Sequence, residues 1–149
     1  MSLSIRTAEP DDLISLQTIY RQSSLSNEGD RLVLLEHPEH LVLPAEPVYE
    51  GRARLAEGPS RGIVGFATVE RWSDTAELVD LFVTPGSMRG GVGRALINDA
   101  VAALADDGVR ALWVTANRHA LAFYLAMGFE AVEDAPTELG SGTRMRLRI

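Results

Sequence analysis

Residues 79–101, VDLFVTPGSMRGGVGRALINDAV, constrain the fold more than any other stretch of the chain. An apolar run closes at Thr84-Pro85, and a loop holding Gly90, Gly91 and Gly93 opens directly into helical spacing, with Val92, Leu96, Ala100 and Leu104 repeating every four residues up to a stop at Gly108. Glycine brings backbone N–H groups close to a ligand with no Cβ in the way, and it tolerates positive φ. A helix N-terminus adds N–H donors without intrahelical partners and the positive end of the helix dipole, which suit an anion. Arg89 and Arg94 add charge. These residue types match a phosphate cradle, and a tight structural turn is the competing reading. The P-loop pattern is absent, and the dinucleotide pattern fails because Leu96 stands where its third glycine belongs.

The rest of the chain surrounds this junction with alternating strands and helices. LSIRTA alternates apolar and polar residues as a strand does, and Pro10 opens a helix carrying Leu13, Leu16 and Tyr20. A short helix near Arg31–Glu36 precedes a loop broken by Pro38, Pro44 and Pro47. GRARLAE, IVGFATVE and AELVDLFV read as strands, and ALWV as a short buried one. Asn117 stands as the N-cap of a helix with Phe123, Tyr124 and Met127, closed by Gly128; FEAV and TRMRLRI end the chain as strands. The order is β-α-(α)-β-β-β-α-β-α-β-β, a mixed α/β chain, and 149 residues fit one domain, 1–149.

Composition narrows the function. A net charge of −7 argues against a nucleic-acid partner, which calls for a positive field over the phosphates. There is no cysteine, which removes disulfides, thiolate metal sites and cysteine nucleophiles. No apolar run approaches membrane-spanning length and the N-terminus lacks a signal pattern, so the expectation is a cytoplasmic protein without a membrane partner. His37 and His40 in HPEH invite a metal reading, but the zinc motif needs a continuous helix and Pro38 breaks it, so no metal is expected and the pair is assigned to a loop or substrate-site wall.

DLFVTPGSMRGGVGRAL resembles the acetyl-CoA-binding motif of the GNAT superfamily of N-acetyltransferases, a strand, Val-x-Pro, a loop with Gln/Arg-x-x-Gly-x-Gly/Ala, then a helix. NRHALAFYLAMGFEAV is similar to the later motif of that family, and the element order matches its fold along nearly the whole chain. The resemblance implies a mixed central β-sheet flanked by helices, with acetyl-CoA in the splay between the two central strands. Leu81, Phe82 and Val83 would then lie along the pantetheine arm, with Arg89, Gly90, Gly91, Val92, Gly93 and Arg94 at the pyrophosphate and Asn117 reaching the cofactor. Met88 occupies the Gln/Arg position and has no side-chain donor for phosphate, which implies weakened binding. Tyr124 matches the tyrosine that protonates the departing thiolate. The expected activity is transfer of an acetyl group to a primary amine by direct attack in a ternary complex, the acceptor being a small molecule or a protein or peptide amine. Homodimers are common in this resemblance.

The general base is less determined. Glu70, Glu77 and Asp80 are candidates; Glu77 and Asp80 differ in parity and so point to opposite faces of a regular strand, and the lean is to Glu77. Leu112 stands where some members carry a glutamate. Tyr20, Ser24, the 25–46 segment, Trp72 and an Ala135–Ser141 loop are assigned to acceptor selection, and the acidic composition and Trp72 suit a small cationic or aromatic amine. The alternative is a GNAT-fold module that binds an acyl-CoA without turnover, as a sensor or interaction subunit.

Overall fold

The computed structural model describes residues 3–149 except 61, 89, 138 and 139, and of Glu28 the backbone alone. In chain order the elements are β1 (Ser4–Thr7), α1 (Leu13–Leu25), α2 (Glu28–Glu36), α3 (Glu46–Tyr49), β2 (Ala53–Glu57), β3 (Ile63–Trp72), β4 (Thr75–Val83), α4 (Val92–Asp106), β5 (Ala111–Asn117), α5 (Leu121–Ala126), β6 (Glu130–Thr137) and β7 (Gly140–Arg148). The strands form one mixed seven-stranded sheet in the order β1-β2-β3-β4-β5-β7-β6. The chain divides into two compact units, residues 1–69 with 80–99, and residues 70–79 with 100–149.

In the first unit, β1, β2 and β3 pair antiparallel, with Ile5 opposite Ala56 and Leu55 opposite Phe66. Leu16, Ile19, Leu55 and Phe66 form the centre of its core, each 4% exposed or less. The spacing of Leu16, Ile19 and Ser23 along α1 places all three on the buried face, so a hydroxyl sits among apolar neighbours. The first turns of α4 bury Val92, Leu96 and Ile97. Gly65 accommodates their approach, since a Cβ there would lie 2.9 Å from the Phe82 carbonyl oxygen and 3.0 Å from a Val92 methyl.

In the second unit, Thr75–Glu77 pair parallel with Ala111–Trp113, while β7 lies antiparallel to both β5 and β6. Leu112, Val114, Phe129 and Met145 make its core. Gly108 adopts φ +80° after α4, and the Val109 N–H returns to the Leu104 carbonyl at 2.9 Å, closing the helix as a C-terminal glycine does.

Three elements differ from the sequence reading. The helix expected near Arg31–Glu36 begins at Glu28, and the four-residue helix α3 follows Pro44. The segment expected as an Ala135–Ser141 loop lies mostly in strands, since Pro136 pairs with Ser141 and Thr137 with Gly140. Polar and glycine residues mark a turn locally, but a paired edge extends regular structure through them. Among the described residues no helix is long and apolar enough to cross a membrane.

Candidate functional site

The first unit contains the glycine loop and the strand that feeds it. The Thr84 N–H donates to the Val64 carbonyl at 2.8 Å, so Thr84 faces β3. Backbone groups alternate sides along a strand, which turns Phe82 towards β3 and leaves Leu81 and Val83 presenting theirs to the opposite edge of β4. The Phe82 ring is also committed, edge-on to Tyr20 at 4.9 Å and tilted against Phe66 at 5.8 Å. Of the three expected pantetheine-lining residues, Leu81 and Val83 have the outward backbone and Phe82 belongs to the core. Ser23 Oγ donates to the Val83 carbonyl at 2.6 Å, so the outward groups that remain are both of Leu81 and the Val83 N–H.

Pro85–Ser87 form a 3-10 turn, with the Ser87 N–H bonded to the Thr84 carbonyl. Gly91 then takes φ +82°, a conformation in which side chains are strained, and a Cβ built there would meet nothing within 4 Å. The first backbone bond of α4 runs from the Ala95 N–H to the Gly91 carbonyl at 3.0 Å. The N–H groups of Val92, Gly93 and Arg94 therefore precede the helical ladder and lack i−4 partners by helix geometry. A left-handed glycine with open space before it and a row of N–H groups behind it fits a bound phosphate chain. Arg94 is exposed, Met88 is 47% exposed, and Arg89 lies outside the described residues.

Asp80 is the titratable group closest in sequence to this edge. It is half-buried, and one carboxyl oxygen accepts a hydrogen bond from Thr68 Oγ1 at 2.5 Å. Burial pushes its carboxyl above the ordinary aspartate range, and the Thr68 hydrogen bond offsets part of that rise.

The second unit holds Glu77, Asn117 and Tyr124. Both Glu77 oxygens accept from the Arg144 guanidinium at 2.6 Å, and this fork lies beside Trp113, with Arg144 5.0 Å from the indole centre. The carboxylate raises the Arg144 pKa still further. With both oxygens engaged by one guanidinium, Glu77 would have to give up part of this fork to reach an amine. Asn117 is at the end of β5, and its Oδ1 accepts from the N–H groups of His119 and Ala120 at 3.0 and 3.1 Å. The N-cap of α5 is Ala120, so Asn117 caps the turn ahead of the helix and keeps its amide NH2 for any ligand. Tyr124 is buried, its ring edge-on to Phe123 and Phe129 at 5.2 Å each.

His37 and His40 stack at 5.3 Å around Glu39, within and beside a 3-10 turn begun by Pro38. Among the described residues no group of three or more His, Cys, Asp or Glu could hold a metal. Tyr20, assigned to acceptor selection, donates its hydroxyl to the His40 carbonyl at 2.9 Å, and Trp72 is exposed. Sequence reasoning missed Ser23, Thr68 and Arg144. Ser23 carried a signal, a hydroxyl on the apolar face of α1; Thr68 and Arg144 carried none, because their partners are distant in sequence.

The outward edge of β4, a left-handed glycine and a helix N-terminus thus follow one another in an α/β protein. The model of the acetyltransferase (GNAT) family matches residues 12–129, and the chain belongs to this family. Among solved structures it is similar to the PaiA N-acetyltransferase of Thermoplasma acidophilum in complex with coenzyme A, at 20% identity over all of both chains with a TM-score of 0.80. It is also similar to the ribosomal-protein-S18-alanine N-acetyltransferase of Escherichia coli, at 22% identity over 99% of this chain and 94% of that one with a TM-score of 0.75. A third is Ard1 from Thermoplasma volcanium, at 19% identity over 100% and 99% of the two chains with a TM-score of 0.76. At these identities the likeness is one of fold. Comparison with curated proteins gives no match.

Proposed function

We propose that the protein is an acetyl-CoA-dependent N-acetyltransferase, a single acetyltransferase domain over residues 1–149, acting on a primary amine by direct attack in a ternary complex. The observation that carries this reading is Gly91, left-handed at the mouth of α4 with open space at its Cβ position, in a chain of this family. The N–H groups of Val92, Gly93 and Arg94 hold the pyrophosphate, with Gly90 shaping the turn and the Arg94 and Arg89 guanidiniums supplying charge. Leu81 and the Val83 N–H pair with the pantetheine arm as a neighbouring strand would. When bound, acetyl-CoA supplies the acetyl group as a thioester.

Transfer forms one C–N bond and breaks one C–S bond; the amine sheds a proton and the sulfur gains one. Asp80 is the base in this reading, since its burial makes the carboxylate a better proton acceptor than an ordinary aspartate and, among the described residues, only Thr68 Oγ1 restrains it. Tyr124 holds the proton for the sulfur. Asn117 contributes its remaining amide donors to the cofactor, and Glu77 with Arg144 serves the strand framework. Met88, exposed at the position where the motif carries a donor, favours a second reading, an acyl-CoA-binding module without turnover.

The test is calorimetric titration with acetyl-CoA of the wild type and of Gly91→Glu. The glutamate is strained at φ +82° and places a negative charge against the phosphates. Saturable binding that vanishes in the variant is expected. A folded wild type that binds no acetyl-CoA would overturn the reading, and binding without thiol release for any amine would favour the module.

A further inference from the structure

A groove of about 880 Å³ in the first unit runs between the outer face of α1 and the turn Thr84–Gly86. Its α1 wall follows the spacing of one helical face, Gln17, Thr18, Arg21, Gln22 and Leu25, with Arg31 of α2 alongside. Gln17 and Thr18 also line a smaller cavity of about 370 Å³, walled by Leu13, Ile14, Leu43 and Ala45. Gln17 and Thr18 thus stand between a hollow with guanidiniums and a smaller one with aliphatic carbon.

The charge in this groove runs against the rest of the chain, which carries 21 acidic residues against 14 basic ones. Arg6, Arg52, Arg54, Arg71, Arg144, Arg146 and Arg148 each hold a carboxylate within 3.1 Å. Arg21 and Arg31, like Arg94 and Arg110 elsewhere, make no ion pair among the described residues. One N–H of Arg31 bonds weakly to the Leu25 carbonyl at 3.4 Å at the end of α1, which orients the guanidinium and leaves its other donors for a ligand. No carboxylate lines either hollow among the described residues. Two guanidiniums without counter-ions, in a protein that pairs so many of its arginines, are suited to an anion brought by a ligand.

We propose that these neighbouring hollows select the acceptor, and that the acceptor is an apolar amino acid: Arg21 and Arg31 bind its carboxylate, and Leu13, Ile14 and Leu43 take its side chain. This rests on the acetyltransferase reading and sharpens its acceptor. It reverses the expectation from bulk composition, which suited a cationic amine.

The experiment compares L-leucine and L-phenylalanine with their carboxamides, which keep the amine and side chain but lose the negative charge. Thiol release gives kcat/KM for each, and calorimetry gives the affinity of each for the CoA-loaded protein. The chain has no lysine, so side-chain self-acetylation adds no background. The acids are expected to exceed the amides by about tenfold or more in both readouts, as loss of a charged hydrogen bond predicts. The ratio should fall towards one in Arg21→Gln/Arg31→Gln and recover in part in Arg31→Lys. Acids no better than amides, or a preference that survives the double variant, overturns the proposal while leaving acetyl-CoA binding intact. Loss of acetyl-CoA affinity in the double variant would assign the arginines to its phosphates and overturn it equally. Failure of the wild type to bind acetyl-CoA removes both readings.

Discussion

Two strand-to-helix junctions in this protein share a local plan and hold their polar groups in opposite ways. After β4, Gly91 turns left-handed, and the donors at the start of the fifteen-residue helix α4 precede its ladder. After β5, Asn117 closes the turn with its own side chain, taking the N–H groups of His119 and Ala120, and α5 is only six residues long. In the proposed function the first junction opens backbone to a ligand, and the second uses backbone bonds to fix the turn ahead of Tyr124. An anion site made of backbone needs glycine and helix direction, whereas a proton donor needs one residue held by packing. The two demands leave different marks in the sequence.

Five substitutions test that contrast, in falling order of effect. Tyr124→Phe removes the hydroxyl and keeps the ring between Phe123 and Phe129. If the second junction exists to hold a proton, kcat should fall by about 10²–10⁴-fold, with acetyl-CoA affinity by calorimetry nearly unchanged. Equal turnover in the variant would reduce Tyr124 to a core residue.

Asp80→Asn should lower turnover on a comparable scale and also change the pH profile. Burial raises the Asp80 pKa, so the acid limb of kcat/KM should lie above the ordinary aspartate range and disappear in the variant. Thr68→Val removes the hydrogen bond that restrains the rise, so the limb should move further up. The same group affects stability. Its folded pKa exceeds its unfolded one, so the folded state binds more protons and loses stability as pH rises from the unfolded value through the folded one. Unfolding midpoints measured across that window should flatten in Asp80→Asn.

Glu77→Gln separates framework from chemistry. It breaks a bidentate pair whose two side chains are 19% and 27% exposed, and should reduce stability by about 1–3 kcal/mol in a denaturant titration. Turnover at a temperature where the variant remains folded should stay close to wild type; a collapse there would restore Glu77 as the base. The smallest effect belongs to Asn117→Ala, which uncaps the turn and should cost about 1 kcal/mol. Its stability should fall more than its affinity for acetyl-CoA, in contrast to Gly91→Glu.

The glycine loop, the four-residue repeat of α4 and the element order were legible in the sequence because each depends on neighbours a few positions apart. That this loop needs glycine was readable, and Gly91 does adopt a left-handed φ, since φ is a local property. The choice between Glu77 and Asp80 was not readable. Arg144 lies 67 residues from Glu77, and Thr68 reaches Asp80 only because β3 and β4 are adjacent in the sheet. Strand parity separated the two carboxylates onto opposite faces, but what waits on each face is a product of the whole sheet. Ser23 is an intermediate case: its place on the apolar face of α1 follows from helical spacing, while its partner, the Val83 carbonyl, does not. By itself the sequence determined an α/β chain with a glycine loop between its fourth strand and a long helix. Which side chains are engaged elsewhere and which remain for chemistry was decided by tertiary structure, because hydrogen bonds and burial that set a carboxylate's basicity come from residues remote in the chain.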